Sequence, residues 1–128
     1  RQGNLRQATH HPNLVVTVGK NYIASRMVGT TATVMGYMAI GTGTGTPASG
    51  DTTLGTEAGR VALASGTSSG ATVTYTATFP AGTGTGAITE AGVFNAGSAG
   101  TMLCHTTFPV VNKASGDSIA ITWVITVS

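Results

Sequence analysis

Two stretches of the chain alternate apolar and polar side chains with a period of two. In Thr72–Phe79, threonine occupies every second position, and valine, tyrosine, alanine and phenylalanine fill the positions between. In the last segment, Ile119, Ile121, Trp123, Ile125 and Val127 share one parity, and Ser118, Thr122 and Thr126 fall on the other. A period of two places alternate side chains on opposite faces of a strand. Both stretches are therefore predicted to be strands with one face toward a core.

Five further segments have strand composition and are separated by turns rich in glycine, serine and proline. They are Leu14–Val18, Val34–Ile40, Arg60–Ala64, Ala87–Asn95 and Thr101–Phe108. Val34–Ile40 is apolar on both parities, as expected of a strand covered on both faces. The connections are too short for parallel crossovers, which favours antiparallel pairing. We predict an all-β fold, an antiparallel β-sandwich or jelly-roll-like barrel, forming a single domain over residues 14–128.

One short N-terminal helix is predicted within Gly19–Gly29. Ile23 and Met27 are four residues apart, Asn21 is placed to cap the start, and Gly29 to occupy the position after the end. The preceding residues 1–13 show no periodicity and are interpreted as an extended N-terminal arm.

The composition excludes several classes of protein. Only 8% of residues are charged, and 41% are hydrophobic. Disorder requires the opposite bias, and a coiled coil requires many more charged residues. No apolar stretch is long enough for a transmembrane helix, so no membrane association is expected. The single cysteine, Cys104, cannot form an intrachain disulfide and fits synthesis in the cytosol.

The formal net charge of +2 is concentrated at the N-terminal end. Arg1, Arg6 and Lys20 lie in the first twenty residues, which contain no acid, whereas the remainder has three basic and four acidic residues. That remainder has no basic stripe to neutralise phosphates, so no nucleic-acid partner is expected. The basic residues and histidines of the arm are instead candidate contacts to a capsid or another subunit, namely Arg1, Arg6, His10 and His11.

Two glycine-rich patterns resemble catalytic or phosphate-binding motifs. Gly66–Gly70 (GTSSG) matches the nucleophile elbow of α/β-hydrolases, but it lies between two strands with no helix after it, so a hairpin turn is predicted. The GTGTG runs at Gly41–Gly45 and Gly82–Gly86 lack the lysine of a phosphate-binding loop and precede no long helix. We therefore predict no catalytic residues and no cofactor site.

The cysteine and histidines do not form a metal-binding pattern. Cys104 and His105 are adjacent, so in a strand their side chains point to opposite faces. No metal site is predicted; a buried cysteine and an edge or surface histidine are expected, although symmetry could bring copies of His10 or His11 together at an axis.

Glu90 is the acidic residue that most needs an explanation. It lies within the otherwise apolar Ile88–Phe94, and a buried carboxylate requires a partner. Arg60, at the start of another strand, is predicted to pair with Glu57 or with Glu90, a structural ion pair that fixes sheet register.

Four segments in a fixed order carry a resemblance to a known family. They are GTGT at Gly41–Thr44, LGTE at Leu54–Glu57, ITEAGVFNA at Ile88–Ala96 and NKASGDSIAITW at Asn112–Trp123. They are the most specific parts of a longer resemblance, over Val16–Gly29, Tyr37–Leu63 and Thr78–Ser128, to small virion structural proteins of tailed bacteriophages, which are encoded among head and tail genes. Residues 1–13 lie outside the resemblance.

The resemblance implies a non-enzymatic, all-β virion component. Within that class we expect a capsid decoration (cement) protein that forms a dimer or trimer, binds the major capsid protein on the capsid exterior and assembles in the host cytoplasm. The alternative is a tail-fibre or receptor-binding module whose loops contact glycan. A third hypothesis is an enzyme that acts through Ser68 or Glu90, which would require a nucleophile beside a base. Because the resemblance implies a non-enzymatic protein, no small-molecule substrate is expected.

Overall fold

The computed structural model describes residues 14–29 and 33–127. Its elements are β1 (Leu14–Val15), α1 (Thr17–Met27), β2 (Tyr37–Gly41), β3 (Glu57–Ala62), β4 (Ser65–Ser69), β5 (Thr72–Phe79), β6 (Gly86–Phe94), β7 (Met102–Lys113) and β8 (Ile119–Thr126). The predicted arm at residues 1–13, with the candidate contacts Arg1, Arg6, His10 and His11, lies outside these ranges.

The strands form two antiparallel sheets. The five-stranded sheet has the order β1-β7-β6-β2-β3, and the three-stranded sheet has the order β4-β5-β8. Neither sheet closes into a barrel within the described residues. The predicted all-β class with one short helix is confirmed, and the sandwich is the form it takes.

The core lies between the two sheets. Met38, Ile40 and Val93 of the five-stranded sheet pack in one cluster with Phe79 and Trp123 of the three-stranded sheet. A second cluster contains Val16, Ala39, Leu54, Phe94 and Met102. Consecutive residues of β2 are divided between these clusters, so β2 is buried on both faces, as its apolar parities predicted.

Strands β5 and β8 follow their predicted alternation. They pair without interruption from Thr72 opposite Thr126 to Phe79 opposite Ile119. Trp123 and Ile125 are buried, whereas Thr122 and Val124 between them are exposed. The period of two therefore identified both the strands and the face that each turns to the core.

The helix begins earlier than predicted. It starts at Thr17, and its N-cap residue, Val16, makes no side-chain capping hydrogen bond, so the predicted cap at Asn21 is wrong. Packing explains the difference, because Gly19 is the buried residue of the helix and lies against the backbone of Leu103 in β7. The end was predicted correctly: Gly29 follows it with a φ of 71°, a conformation that favours glycine.

The segment predicted to turn at Gly66–Gly70 is mostly strand. Ser65–Ser69 form β4, with Ser68 opposite Val73 of β5, and the turn lies one step later at Gly70 and Ala71. The predicted hairpin turn was therefore misplaced, because serine, threonine and glycine provide no apolar alternation by which to recognise a strand.

Strand β7 continues past its predicted end at Phe108 to Lys113. It does so through Pro109, which has no N–H to donate. The β6–β7 register shifts at this point, since Ile88 pairs with Val111 but Glu90 pairs with Thr107. Pro109 therefore lies in a bulge, where its missing donor interrupts no regular ladder.

The described residues contain no helix long and apolar enough to cross a membrane.

Candidate functional site

Glu90 is buried inside the five-stranded sheet, with 1% of its surface exposed. It lies in β6, one residue beyond the bulge, opposite Gly41 of β2 and Thr107 of β7. The long loop between β2 and β3, residues 42–56, folds back over its carboxylate. This residue and the groups that hold it form the main cluster of ionisable side chains in the described structure.

The Glu90 carboxylate accepts four hydrogen bonds. The backbone N–H groups of Gly43 and Thr56 donate to Oε2, each at 2.8 Å. The N–H of Gly55 donates to Oε1 at 2.8 Å, and His105 Nε2 lies 2.9 Å from the same oxygen. Both ends of the 42–56 loop are therefore fastened to one side chain.

The loop can approach this closely because it has glycine where it meets the carboxylate. A Cβ on Gly43 would lie 2.4 Å from Glu90 Oε2, closer than real contacts allow. The first GTGTG run is thus explained by close backbone approach to a protein carboxylate rather than to a phosphate.

His105 joins Glu90 to a second carboxylate. It lies in β7 opposite Gly92 of β6, and its Nδ1 is 2.8 Å from Asp51 Oδ2. Asp51 also accepts the N–H of Ala48 at 2.9 Å, so it fixes the middle of the loop. The predicted edge or surface position of His105 is wrong, because only 4% of the residue is exposed.

The electrostatics favour ionised carboxylates at both ends of this chain. Burial by itself raises the pKa of Glu90, but the N–H groups of Thr56, Gly55 and Gly43 and the His105 ring outweigh burial and hold that pKa below its ordinary value. The pKa of Asp51 is also lowered, because the Ala48 N–H and the His105 ring outweigh desolvation. The two ring nitrogens of His105 each lie within hydrogen-bond distance of one of these carboxylates.

This arrangement contains the aspartate–histidine pair of a catalytic triad but not its nucleophile. In a triad, the second ring nitrogen faces a serine, threonine or cysteine. Here that nitrogen faces Glu90, and Ser68 lies in β4 of the opposite sheet. The described residues also contain no group of three or more histidine, cysteine or acidic side chains suited to a metal ion. The cluster holds the 42–56 loop in place. Both nitrogens of the His105 ring already face carboxylates, so neither is available to a reacting group.

Arg60 forms a second set of tertiary hydrogen bonds, beside the C-terminal end of β6. Its Nη2 and Nε donate to Glu57 at 2.7 and 3.0 Å, and its Nη1 donates to the carbonyls of Ala96 and Ala99, both at 2.9 Å. The guanidinium also stacks 3.8 Å from the ring centre of Phe94. Of the two acids predicted as its partner, Glu57 pairs with Arg60; Glu90 does not and is held by His105 and the loop.

Lys113 makes a third set of tertiary hydrogen bonds, which the sequence analysis did not predict. It is 2% exposed, and its Nζ donates to the carbonyls of Pro80 at 2.9 Å and Asp117 at 2.7 Å. The carboxylate of Asp117 accepts the N–H of Ala114 at 2.9 Å in the same turn. Lys113 therefore joins the β5–β6 loop to the β7–β8 turn.

Cys104 is fully buried, as predicted, and burial raises the pKa of its thiol well above the ordinary value.

An apolar groove of about 320 Å³ lies between α1 and the three-stranded sheet. Its lining includes Tyr22, Met27, Leu103 and Val127, and no acidic residue lines it.

Comparison with protein-family models, with curated proteins and with solved structures finds no match to this chain.

Proposed function

We propose that this chain is a structural protein of a tailed-bacteriophage virion, and specifically a capsid decoration protein. In this role it associates with copies of itself and binds the lattice of the major capsid protein on the outside of the head, where it stabilises the shell. The proposal begins from the resemblance of four sequence segments to small phage virion proteins and gains support from what those segments do in the fold.

One observation carries the proposal: the four most specific segments of the resemblance supply the hydrogen bonds that hold the loops. GTGT, LGTE and ITEAGVFNA supply Gly43, Gly55, Thr56 and Glu90, which meet in one cluster. The fourth segment supplies the hydrogen bonds of Lys113. Residues that distinguish an enzyme family are expected around an open site with a free acid, base or nucleophile. Here the corresponding groups are already hydrogen-bonded within the protein and hold its loops in place. This suits a protein that functions through its surfaces.

The alternative, a glycan-binding tail module, has less support from the aromatic residues. Sugar-binding surfaces present aromatic rings to solvent, where they stack on the sugar. All seven aromatic residues lie in the described part of the chain, and none is exposed: Phe79, Phe94 and Trp123 are buried, and Tyr22, Tyr37, Tyr75 and Phe108 are partly buried.

The proposal is tested by locating and counting the protein in particles of the phage that encodes it. Heads and tails are separated, and the chain is quantified in each fraction by mass spectrometry against the major capsid protein. We expect it in the head fraction, in a fixed high ratio to the capsid protein. A few copies confined to the tail fraction would support the alternative and overturn the head assignment.

The role of the arm is tested on the same particles. Heads lacking the protein are incubated with the full chain or with a chain that starts at Leu14, after matched melting curves show that both are folded. Since Arg1 and Arg6 give the arm its positive charge, we expect lower occupancy without it, and more so at low salt. Equal occupancy would remove the arm from the mechanism.

A further inference from the structure

Strand β8 forms one edge of the three-stranded sheet, and in the described structure it pairs only with β5. Its eight residues, IAITWVIT, contain no charge, proline or glycine, and its pairing with β5 shows no register shift. Such a segment combines high β-propensity, high hydrophobicity and no charge, which is the composition of strands that readily pair with further strands.

The outward backbone groups of β8 can be assigned from its register. The N–H of Val127 donates to the carbonyl of Ala71 at 2.8 Å, and these residues lie opposite each other when the β5–β8 register is continued. In an antiparallel pair, hydrogen-bonded and non-hydrogen-bonded positions alternate. The odd-numbered residues therefore bond to β5, and the N–H and C=O groups of Ala120, Thr122, Val124 and Thr126 point away from it.

The other sheet edges in the described structure have features that discourage pairing. β1 covers only two residues of β7, and the uncovered part of β7 contains Pro109 and a register shift against β6. β3 carries the Glu57–Arg60 ion pair and a register shift against β2. β4 has five residues, all serine, threonine or glycine, and so offers no apolar side chain to bury. Natural proteins protect exposed edges by shortness, charge or bulges, and β8 has none of these protections.

We propose that β8 pairs antiparallel with β8 of a second copy, so that two three-stranded sheets become one sheet of six strands across a two-fold axis. The proposal names the surface through which copies of the chain associate, and it rests on the proposed function only for the expectation that such copies associate. Across such an axis, every charge near the centre faces its own copy, so self-pairing requires an uncharged strand. No charged residue lies between Ser118 and Val127, whereas recognition of a different protein could have used opposite charges.

This pairing also covers apolar surface that the single chain leaves open. Val124, on the outer face of β8, is 50% exposed. Antiparallel pairing places residues of the same face opposite each other, so Val124 of one copy lies near the exposed residues of β8 in the other. The buried face of each β8 stays toward its own core.

Two variants of Thr122, near the middle of the edge, test the proposal on the full chain by sedimentation equilibrium over a wide range of concentration. Thr122→Lys places like charges on the two copies near the axis. Thr122→Pro removes an outward N–H and leaves intact the hydrogen bonds to β5, which come from odd-numbered residues. The matched control is Thr78→Lys, an exposed threonine on the central strand β5. Far-UV circular dichroism confirms that each variant is folded.

We expect the unmodified chain and Thr78→Lys to dimerise with the same dissociation constant. Both Thr122 variants are expected to raise that constant about ten-fold or more. A monomeric unmodified chain, or dimers unaffected by both Thr122 variants, would overturn the edge pairing. Neither result would affect the head-or-tail measurement, so failure of this proposal and failure of the proposed function can be told apart.

Discussion

At the scale of single residues, the stability of this sandwich depends on ionisable groups whose hydrogen bonds are made within the protein. Glu90, Arg60 and Lys113 are each held by backbone groups from segments distant in sequence. A buried charge is tolerated when such partners replace water, and removing the partner leaves the charge uncompensated. Each of these side chains therefore holds a loop in place, and its replacement should destabilise that loop first.

Replacing Glu90 by glutamine is expected to destabilise the fold by about 2–4 kcal/mol. The amide group would turn its hydrogens toward N–H donors, either those of Gly43 and Thr56 or that of Gly55. Thermal melting should show a midpoint lower by roughly 10 °C.

The control for that substitution is Glu57→Gln, at the more exposed carboxylate paired with Arg60, with an expected effect of about 1 kcal/mol or less. Equal melting temperatures for the Glu90 variant and the unmodified chain would contradict the importance assigned to the cluster.

Acid is expected to weaken the same cluster. The pKa values of Glu90 and Asp51 are lower in the folded chain than in the unfolded chain, so below about pH 4 the unfolded state binds protons first. The stabilisation is fully present above the unfolded pKa values and is lost as the pH falls through the folded ones. Urea unfolding measured from neutral pH down to about pH 3 should show this decline. If the Glu90→Gln variant declined as steeply as the unmodified chain, Glu90 would not be its source.

The sequence predicted part of this residue-level picture. Arg60 and Glu57 are close in sequence and on one strand, and an apolar strand containing Glu90 signalled a buried carboxylate in need of a partner. The actual partners could not be predicted, because His105 and Gly43 are 15 and 47 residues from Glu90. The pairing of β6 with β7 places His105 beside Glu90, and the closed loop brings in Gly43.

At the scale of elements, helix α1 is positioned by close approach rather than by its own sequence preferences. It has no acidic residue in its first turn and no side-chain cap, and Gly19 is its one buried residue. A Cβ at Gly19 would lie 2.2 Å from the carbonyl oxygen of Leu103. The helix therefore lies with its backbone almost against β7.

Gly19→Ala is expected to destabilise the protein by about 1–3 kcal/mol, although alanine is the better helix former by about 1 kcal/mol. The backbone of β7 cannot move aside as a flexible side chain could. Chemical denaturation measures the change, and Lys20→Ala, at the exposed next position, is the control and should stay within about 0.5 kcal/mol. A stabilised Gly19→Ala variant would show that the helix can lift away from β7 freely.

The predictions for individual elements succeeded where side chains alternate and failed where they do not. β5 and β8 were found with the correct inward faces because each buries one parity of its residues. β4 was mistaken for a turn because its five residues are all exposed and leave no pattern. The start of α1 was misplaced because tertiary packing at Gly19 determines it.

At the scale of the whole molecule, composition and spacing were enough to predict a sandwich but not its strand order. Short connections indicated antiparallel pairing, yet the order β1-β7-β6-β2-β3 places the chain's first strand beside its seventh. Such a pairing is determined by tertiary packing between distant segments, and a local sequence pattern does not predict it.

If the proposed β8 pairing forms, thermal stability must depend on protein concentration. A dimer that is lost on unfolding shifts the melting midpoint upward as concentration rises. We expect this shift for the unmodified chain and for Thr78→Lys, and a lower midpoint for Thr122→Lys at the same concentrations, all measured by calorimetry. A midpoint independent of concentration in the unmodified chain would argue against coupling between association and folding.

The burial of Cys104 has a practical consequence for following this molecule. Its thiol is fully enclosed and its pKa is raised, so it forms little of the thiolate that reacts with maleimides. Because it is the chain's single cysteine, one introduced at an exposed position such as Ser115 should take up a fluorophore alone. A dye-labelled chain would then allow the proposed binding to phage heads to be tested on individual particles without first mutating the core.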